Sequence, residues 1–111
     1  MNGDMSQSSI TSEVTSVQFL DNIGIQLDFS GTPTGTFEIQ GSIDYKQDAE
    51  GNVINPGFWL PLALNPAPVA TGVDGQIYVD INQLSSPWIR VVYTRTSGSG
   101  TLNGYITGKE I

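Results

Sequence analysis

The sequence IGIQLDF at residues 23–29 alternates strictly between apolar and polar side chains. Successive side chains of a β-strand point to opposite faces of the sheet. The face that carries Gln26 and Asp28 is therefore expected to meet water. The opposite face is expected to enter a hydrophobic core with Ile23, Ile25, Leu27 and Phe29.

The same period of two recurs in five further segments, at residues 37–43, 58–64, 77–81, 89–93 and 102–106. Thirteen glycines and six prolines supply turn residues between them. Short strands separated by turns about every 8–12 residues indicate two packed antiparallel sheets. The sequence therefore predicts an all-β, jelly-roll-like antiparallel β-sandwich of about seven or eight strands, with little or no helix. A single helical turn at residues 82–86 is the only helix that it suggests.

Two places depart from the regular pattern. Between Val14 and Val17 the apolar parity changes, which indicates a bulge or a switch between sheets within the predicted first strand at residues 10–20. Pro61 lies inside the 58–64 segment, so that strand is expected to lie at a sheet edge or to be broken.

The last two strands are expected to form a β-hairpin. The sequence SGSG at residues 97–100 lies between the strand at 88–96 and the strand at 101–107. Short loops that contain glycine commonly join neighbouring antiparallel strands.

The 111 residues are expected to form one domain, since this length supports one hydrophobic core. Residues 10–111 are predicted to form the sandwich. Residues 1–9 are mainly small and polar and are predicted to form a flexible N-terminal arm, either disordered or ordered on a partner. This arm lacks the basic and apolar regions of a signal peptide. No apolar run approaches the roughly 20 residues that span a bilayer, so a soluble protein is expected.

Charge and composition exclude several classes of function. Eleven acidic residues against four basic ones give a formal net charge of -7, so neither nucleic acid nor an anionic membrane surface is an expected partner. A partner with a basic or neutral surface fits this charge. Cysteine and histidine are absent, which excludes disulfides, Ser-His-Asp triads, cysteine nucleophiles and zinc bound by His or Cys. A cysteine-free chain also agrees with assembly in a reducing cytoplasm.

An enzyme is not expected, and no cofactor is implied. Two carboxylates across a cleft suffice for glycoside hydrolysis, and the candidate acids are Asp28, Glu38, Asp44 and Asp80. Asp28 and Glu38 have the polar parity of their strands, where acids contribute to solubility. The acidic loop at residues 44–52 contains Lys46 and lacks the EF-hand spacing. We interpret it as a solvated hairpin tip and not as a calcium site.

Aromatic side chains are the best candidates for a binding surface, because exposed Trp and Tyr anchor protein interfaces and also stack on sugar rings. Trp59 has the opposite parity to Phe58 and Leu60, so it is exposed or covered by a partner if those two face the core. Trp88 shares its parity with Arg90, which predicts a mixed apolar and cationic face. Both tryptophans are equally interpretable as side chains that close the ends of the core. The candidate partner-binding residues are Trp59, Trp88, Arg90 and Tyr105.

Four segments carry a resemblance to a known class of proteins: VQFLDNIGIQLDFSGTPTGTF (17–37), IQGS (39–42), WIRVVYT (88–94) and SGSGTL (97–102). In these phrases and in its cysteine-free, all-β composition, the chain resembles small structural proteins of tailed-phage virions. It is most similar to the capsid decoration, or staple, proteins of epsilon-fifteen-like short-tailed phages. The resemblance covers residues 17–111.

The resemblance implies a jelly-roll-like sandwich on the exterior of the virion capsid that bridges neighbouring major capsid subunits. It also implies assembly in the host bacterial cytoplasm and a homodimer or other homo-oligomer on the shell. It carries over no functional residues. Two other functions stay open: a carbohydrate-binding module that stacks host-surface glycans on Trp59, Trp88 or Tyr105, and a structural subunit of the tail or baseplate.

Overall fold

The computed structural model describes residues 2–18, 22–62, 68–82 and 86–109. These residues form twelve β-strands and no helix. In chain order the strands are β1 (Asn2–Asp4), β2 (Ser9–Thr11), β3 (Thr15–Ser16), β4 (Asn22–Gly31), β5 (Thr34–Ser42), β6 (Lys46–Gln47), β7 (Val53–Asn55), β8 (Leu60–Pro61), β9 (Val69–Thr71), β10 (Gly75–Asn82), β11 (Trp88–Ser97) and β12 (Gly100–Lys109).

The strands form two main sheets in which the pairings are antiparallel. The four-stranded sheet has the order β1-β12-β4-β10. The six-stranded sheet has the order β2-β11-β5-β8, with β3 also on β11 and β9 also on β5. A separate two-stranded ribbon contains β6 and β7.

The order of the strands identifies the architecture as a jelly roll. We call the eight strands of the orders β1-β12-β4-β10 and β2-β11-β5-β9 the main strands, and the first and last of them, β1 and β12, lie side by side. Main strands that follow one another along the chain lie in opposite sheets, except for β5 and β9. This is the double-sheet, eight-stranded arrangement of jelly rolls. The predicted all-β antiparallel sandwich is confirmed, and the four additional strands are two or three residues long.

Alternation along the strands decides which side chains fill the space between the sheets. Phe29 of the four-stranded sheet meets Phe37 of the six-stranded sheet with ring centroids 5.8 Å apart, and Phe37 packs on Tyr93 at 4.9 Å. Fully buried aliphatic residues surround these rings on both sides, and each contributes about 1.5–3 kcal/mol to stability. The fully buried aliphatic members include Ile23, Ile25, Leu27, Ile39, Ile89, Val91 and Leu102.

The predicted terminal hairpin is wrong. β11 pairs with β5 whereas β12 pairs with β4, so the chain crosses between the sheets at residues 98–99. β4 and β5 also lie in different sheets and are joined by residues 32–33. The two crossings lie side by side, because the backbone N–H of Thr32 donates to the carbonyl oxygen of Ser99 over 2.8 Å. Gly98 has a φ of 77° at this turn, in the left-handed region that favours glycine.

The first residues do not form the expected arm. β1 is an edge strand paired with β12. Met5, which follows it, is fully buried, and its backbone N–H donates to the carbonyl oxygen of Gly100 over 2.8 Å. Residues 2–9 are mostly polar, yet one buried methionine and a row of backbone hydrogen bonds are enough to hold this segment on the sheet.

The irregular segments follow the sequence signals in part. β2 and β3 both pair with β11, so the parity change breaks the first strand without moving it to the other sheet. Pro61 belongs to the two-residue strand β8 at the end of the six-stranded order, as a strand proline should. Several positions used in the predictions lie outside the described residues: Phe19, Leu20 and Asp21, the 63–67 segment with Leu64, residues 83–85 of the suggested helical turn, and residues 110–111.

Candidate functional site

Four side chains meet on the outer side of the six-stranded sheet, and we call them the aromatic cluster: Tyr45, Trp59, Trp88 and Arg90. The Cζ atom of Arg90 lies 4.4 Å from the centroid of the Trp59 ring, within the range of a cation–π contact. Tyr45 lies between the two tryptophans, with its ring centroid 5.6 Å from that of Trp59 and 4.9 Å from that of Trp88. The structure thus brings together three of the four candidate residues named from the sequence.

The regular part of the sheet holds the arginine of this cluster. Trp88 and Arg90 have the outward parity of β11, as the alternation predicts. Gln40 lies directly opposite Arg90 on β5, and its side-chain oxygen accepts a hydrogen bond from Nε of Arg90 over 2.7 Å. The amide of Gln40 donates in turn to Glu38 over 2.6 Å. The guanidinium is therefore fixed by the sheet on one side and by the Trp59 ring on the other.

The 58–64 segment, whose orientation the sequence left open, is buried only in part, and Leu62 is the residue of the Phe58 and Leu60 set that packs against the core. Phe58 and Leu60 are 69% and 58% exposed, and Trp59 is the half-buried residue that packs on the sheet. The indole Nε1–H of Trp59 donates to the carbonyl oxygen of Pro56 over 2.9 Å. Alternation shows which residues share a face, but it does not show which face is inward. Among the described residues of this segment, only Leu60 and Pro61 belong to a strand, so neighbouring strands do not impose the orientation.

Residues 43–60 leave the six-stranded sheet after β5 and return to it at β8, and we call this segment the 43–60 loop. It contains the β6–β7 ribbon and two members of the aromatic cluster, Tyr45 and Trp59. Large apolar side chains that are more than half exposed concentrate in it: Ile43, Val53, Ile54, Phe58 and Leu60.

Asp44 joins the two ends of the 43–60 loop. Its Oδ1 atom accepts hydrogen bonds from the backbone N–H of Phe58 over 2.8 Å and from the hydroxyl of Ser42 over 3.0 Å. The Phe58 N–H, followed by the Ser42 hydroxyl, lowers the pKa of Asp44 below its ordinary value by stabilising the carboxylate. Gly57 has a φ of 74°, and a Cβ at this position would lie 2.8 Å from Oγ of Ser42. Glycine is therefore required for the chain to pass this close.

Asp48 organises the tip of the same loop. Its Oδ1 atom accepts hydrogen bonds from the backbone N–H of Asn52 over 2.8 Å and of Glu50 over 2.9 Å. The hydrogen bond from Asn52 is the main reason that the pKa of Asp48 is lowered. The carboxylate oxygens of Asp48 therefore stabilise the turn of the hairpin. Within the described ranges, no three His, Cys, Asp or Glu side chains are grouped so that they could hold a metal ion.

Tyr105 does not join the aromatic cluster. It lies on β12 with outward parity and is 59% exposed on the outer face of the four-stranded sheet. The thickness of the sandwich separates it from Trp59 and Trp88. The same arrangement separates two of the candidate acids, because Asp28 has the outward parity of β4 whereas Glu38 has that of β5.

Reasoning from the sequence missed the roles of Tyr45, Phe58 and Leu60. The signal that could have found them is the sequence NPG at residues 55–57, directly before the apolar segment. A turn at that point interrupts the strand, and apolar residues beside an interrupted strand have no fixed inward face.

Comparison of the chain with protein-family models and with curated proteins finds no match. In the parts of the chain that the structure describes, no helix has the length and apolar character to cross a bilayer. The function is therefore inferred from the two outer surfaces and from the resemblance noted in the sequence.

Proposed function

We propose that this chain is a capsid decoration protein of a tailed phage, which binds the outside of the assembled shell and bridges neighbouring major capsid subunits. It acts by binding and not by catalysis. The observation that carries the proposal is the 43–60 loop, which exposes five large apolar side chains and contributes two members of the ordered aromatic cluster. The resemblance of residues 17–111 to staple proteins supplies the identity of the partner.

The chemistry of this surface suits a protein partner. Clustered apolar side chains on the surface of a soluble domain mark interaction sites, and Trp, Tyr and Arg are the residue types enriched at interface hot spots. Trp59 and Arg90 already contact each other at 4.4 Å. Docking would consequently order few additional side chains, which lowers the entropic cost of binding. The net charge of -7 favours a basic or neutral surface on the capsid subunit.

Binding only to the assembled shell would stabilise that shell by mass action. Many copies on a symmetric lattice, paired as homodimers or higher homo-oligomers, would add avidity to a modest affinity at each site. In this proposal the protein lies on the capsid exterior, and the particle is assembled in the host bacterial cytoplasm.

The test is binding of the purified chain to undecorated shells of its own phage. We expect saturation at a fixed ratio of chain to capsid subunit and a rise in the temperature at which the shells disassemble. Phe58→Asp places a charge in the exposed apolar surface and is expected to weaken binding at least about 30-fold, as for an interface hot spot. Tyr105→Asp, on the opposite face, is the matched control and is expected to bind as the wild type does.

Absence of binding to these shells overturns the proposal, and so does equal binding by Phe58→Asp when its thermal melt shows a folded protein. Localisation by antibody labelling and electron microscopy of intact virions gives a second readout. Label on the shell supports the proposal, and label confined to the tail or baseplate replaces it with the tail-subunit function.

A further inference from the structure

The outer face of the four-stranded sheet carries two exposed tyrosines in one row. Tyr78 of β10 and Tyr105 of β12 both lie directly opposite Gln26, on the central strand β4. Their side chains are 66% and 59% exposed. This row and the polar residues next to it form what we call the tyrosine face.

The register fixes the distance between the two tyrosines. Neighbouring strands lie about 4.8 Å apart, so the Cα atoms of Tyr78 and Tyr105 are separated by two such spacings, about 10 Å across the strands. That separation is close to the length of a disaccharide unit in an extended chain of β-linked hexopyranoses. Two exposed tyrosines on strands this far apart can contact different sugar rings of one such chain.

Gly24 gives the Tyr78 side chain room to lie along the sheet. A Cβ on Gly24 would lie 2.9 Å from Oη of Tyr78 and 3.3 Å from Cγ2 of Thr107. The tyrosine side chain therefore reaches from β10 to β4 over the missing side chain, and it stays 66% exposed. Glycine inside a strand weakens the strand and often marks a place where another group approaches the backbone closely.

Hydrogen-bonding groups lie in the next row of the same sheet. Gln76 and Asn103 lie directly opposite Asp28, from β10 and β12. Nε2 of Gln26 donates to both carboxylate oxygens of Asp28 at 3.1 Å, which orients the two side chains. Asp28, Gln76 and Asn103 also line a shallow depression of about 350 Å³, together with Asp74 and Thr101.

We propose that the tyrosine face binds a neutral oligosaccharide chain that runs across the strands. Tyr78 and Tyr105 stack on sugar rings, while Gln76, Asn103 and Asp28 exchange hydrogen bonds with the hydroxyls. A neutral sugar chain is favoured over an anionic one because Asp28 and Asp80 have the outward parity of this face. The described side chains of the face supply no positive charge to offset them. The site is separate from the 43–60 loop, and its existence does not depend on the proposed capsid function.

The test is an NMR titration of the full chain with cellohexaose and with N-acetylchitohexaose, together with a glycan array. We expect a neutral oligosaccharide to shift the amide signals of Gln26, Tyr78 and Tyr105, with a Kd of about 1 mM or tighter. Tyr78→Ala and Tyr105→Ala are each expected to weaken binding about tenfold, and the double variant is expected to abolish detectable binding. Tyr78→Phe keeps the ring and is expected to retain most of the affinity. Trp59→Ala, on the other face, is the control that should bind unchanged.

Three results overturn the proposal: no neutral oligosaccharide binds, only anionic glycans bind, or the signals that shift belong to Trp59 and Trp88. Tyrosine variants that keep full affinity and a wild-type thermal melt also overturn it. Binding of Tyr78→Ala to undecorated shells is measured in parallel. If Tyr78→Ala loses sugar binding and still binds the shells, the two functions use separate sites. The sugar site and the capsid function can then fail independently of each other.

Discussion

The two outer faces of the sandwich use aromatic side chains in opposite ways. On the six-stranded sheet, Trp59 and Trp88 are half-buried and pack on Tyr45, with Arg90 over one ring. On the four-stranded sheet, Tyr78 and Tyr105 are more than half exposed and are separated by the strand that carries Gln26. The difference arises from the 43–60 loop, which folds back over the outer side of only one sheet.

This difference shows how one alternating pattern produces two kinds of surface. Where a loop covers the outer face of a strand, outward residues such as Trp88 and Arg90 become part of an ordered and partly buried cluster. Where no described loop covers it, the outward residues keep the regular spacing of the strands. The first arrangement suits a shape-specific protein contact, and the second suits a flat, repeating ligand.

The largest expected effect concerns the core that both faces share. Phe37→Ala removes the ring that packs on Phe29 and Tyr93, and it is expected to lower the free energy of unfolding by about 3–5 kcal/mol. Urea unfolding is followed by tryptophan fluorescence, which reports on the six-stranded side because both tryptophans lie there, and by circular dichroism, which reports on the whole chain. The two curves should coincide if the faces belong to one cooperative unit.

Thr36→Ala is the control for this change, since Thr36 is exposed on the same strand and its substitution should alter stability by no more than about 0.5 kcal/mol. If fluorescence and circular dichroism show separate transitions, the two sheets unfold independently. The two faces would then not belong to one cooperative unit.

A smaller effect is expected from the arginine that orders the covered face. Arg90→Ala removes the cation–π contact with Trp59 and the hydrogen bond to Gln40, and it is expected to lower the free energy of unfolding by about 1–2 kcal/mol. Arg90→Lys keeps the charge without the planar guanidinium and should lie between the alanine variant and the wild type. The urea midpoint and the wavelength of tryptophan emission are measured for both Arg90 variants. Arg95→Ala, at the exposed end of the same strand, is the control and should leave the emission unchanged.

The smallest effect concerns pH and the anchoring of the 43–60 loop. Because its hydrogen bonds lower the pKa of Asp44 in the folded chain, its contribution to stability is fully present above the unfolded value near 3.8 and is lost as the pH falls through the lower, folded pKa. We expect the amide signal of Phe58 to titrate below pH 3.8 in the folded protein. In Asp44→Asn the side-chain carbonyl still accepts from the Phe58 N–H, so the loop should stay in place and this titration should disappear. An unchanged titration in that variant would show that Asp44 is not the anchor.

Most of the fold could be predicted from the sequence, because alternation is a local property of each strand. The inward set on β4, from Ile23 to Phe29, and the inward set on β11, from Ile89 to Tyr93, are buried as the pattern indicates. The predicted first strand is interrupted at residues 12–14, next to its change of parity. The edge strand β1 was missed, since backbone hydrogen bonds leave no hydrophobic pattern in a sequence.

The candidate site could be predicted only in part. The outward parity of Trp88 and Arg90 follows from β11 alone, and Arg90 carries the cation that completes the cluster. The position of Trp59 does not follow, because alternation alone does not show whether a side chain on the outer face is exposed or packed against other side chains. Contacts with Tyr45 and Arg90, which are distant in sequence, decide between the two.

The sequence by itself determined that the chain is an antiparallel β-sandwich and which side chains of its long strands are buried. It did not determine which strands are neighbours. In a hairpin with a turn at residues 98–99, Tyr93 would lie opposite Gly104, and the inward parities of both strands would be the same as those observed. In the structure Tyr93 lies opposite Phe37 and Gly104 opposite Leu27, in different sheets. The hairpin and the observed crossing bury the same face of each strand, so the alternating pattern is compatible with both. The crossing at Gly98 and the pairing of β11 with β5 and of β12 with β4 select the observed arrangement.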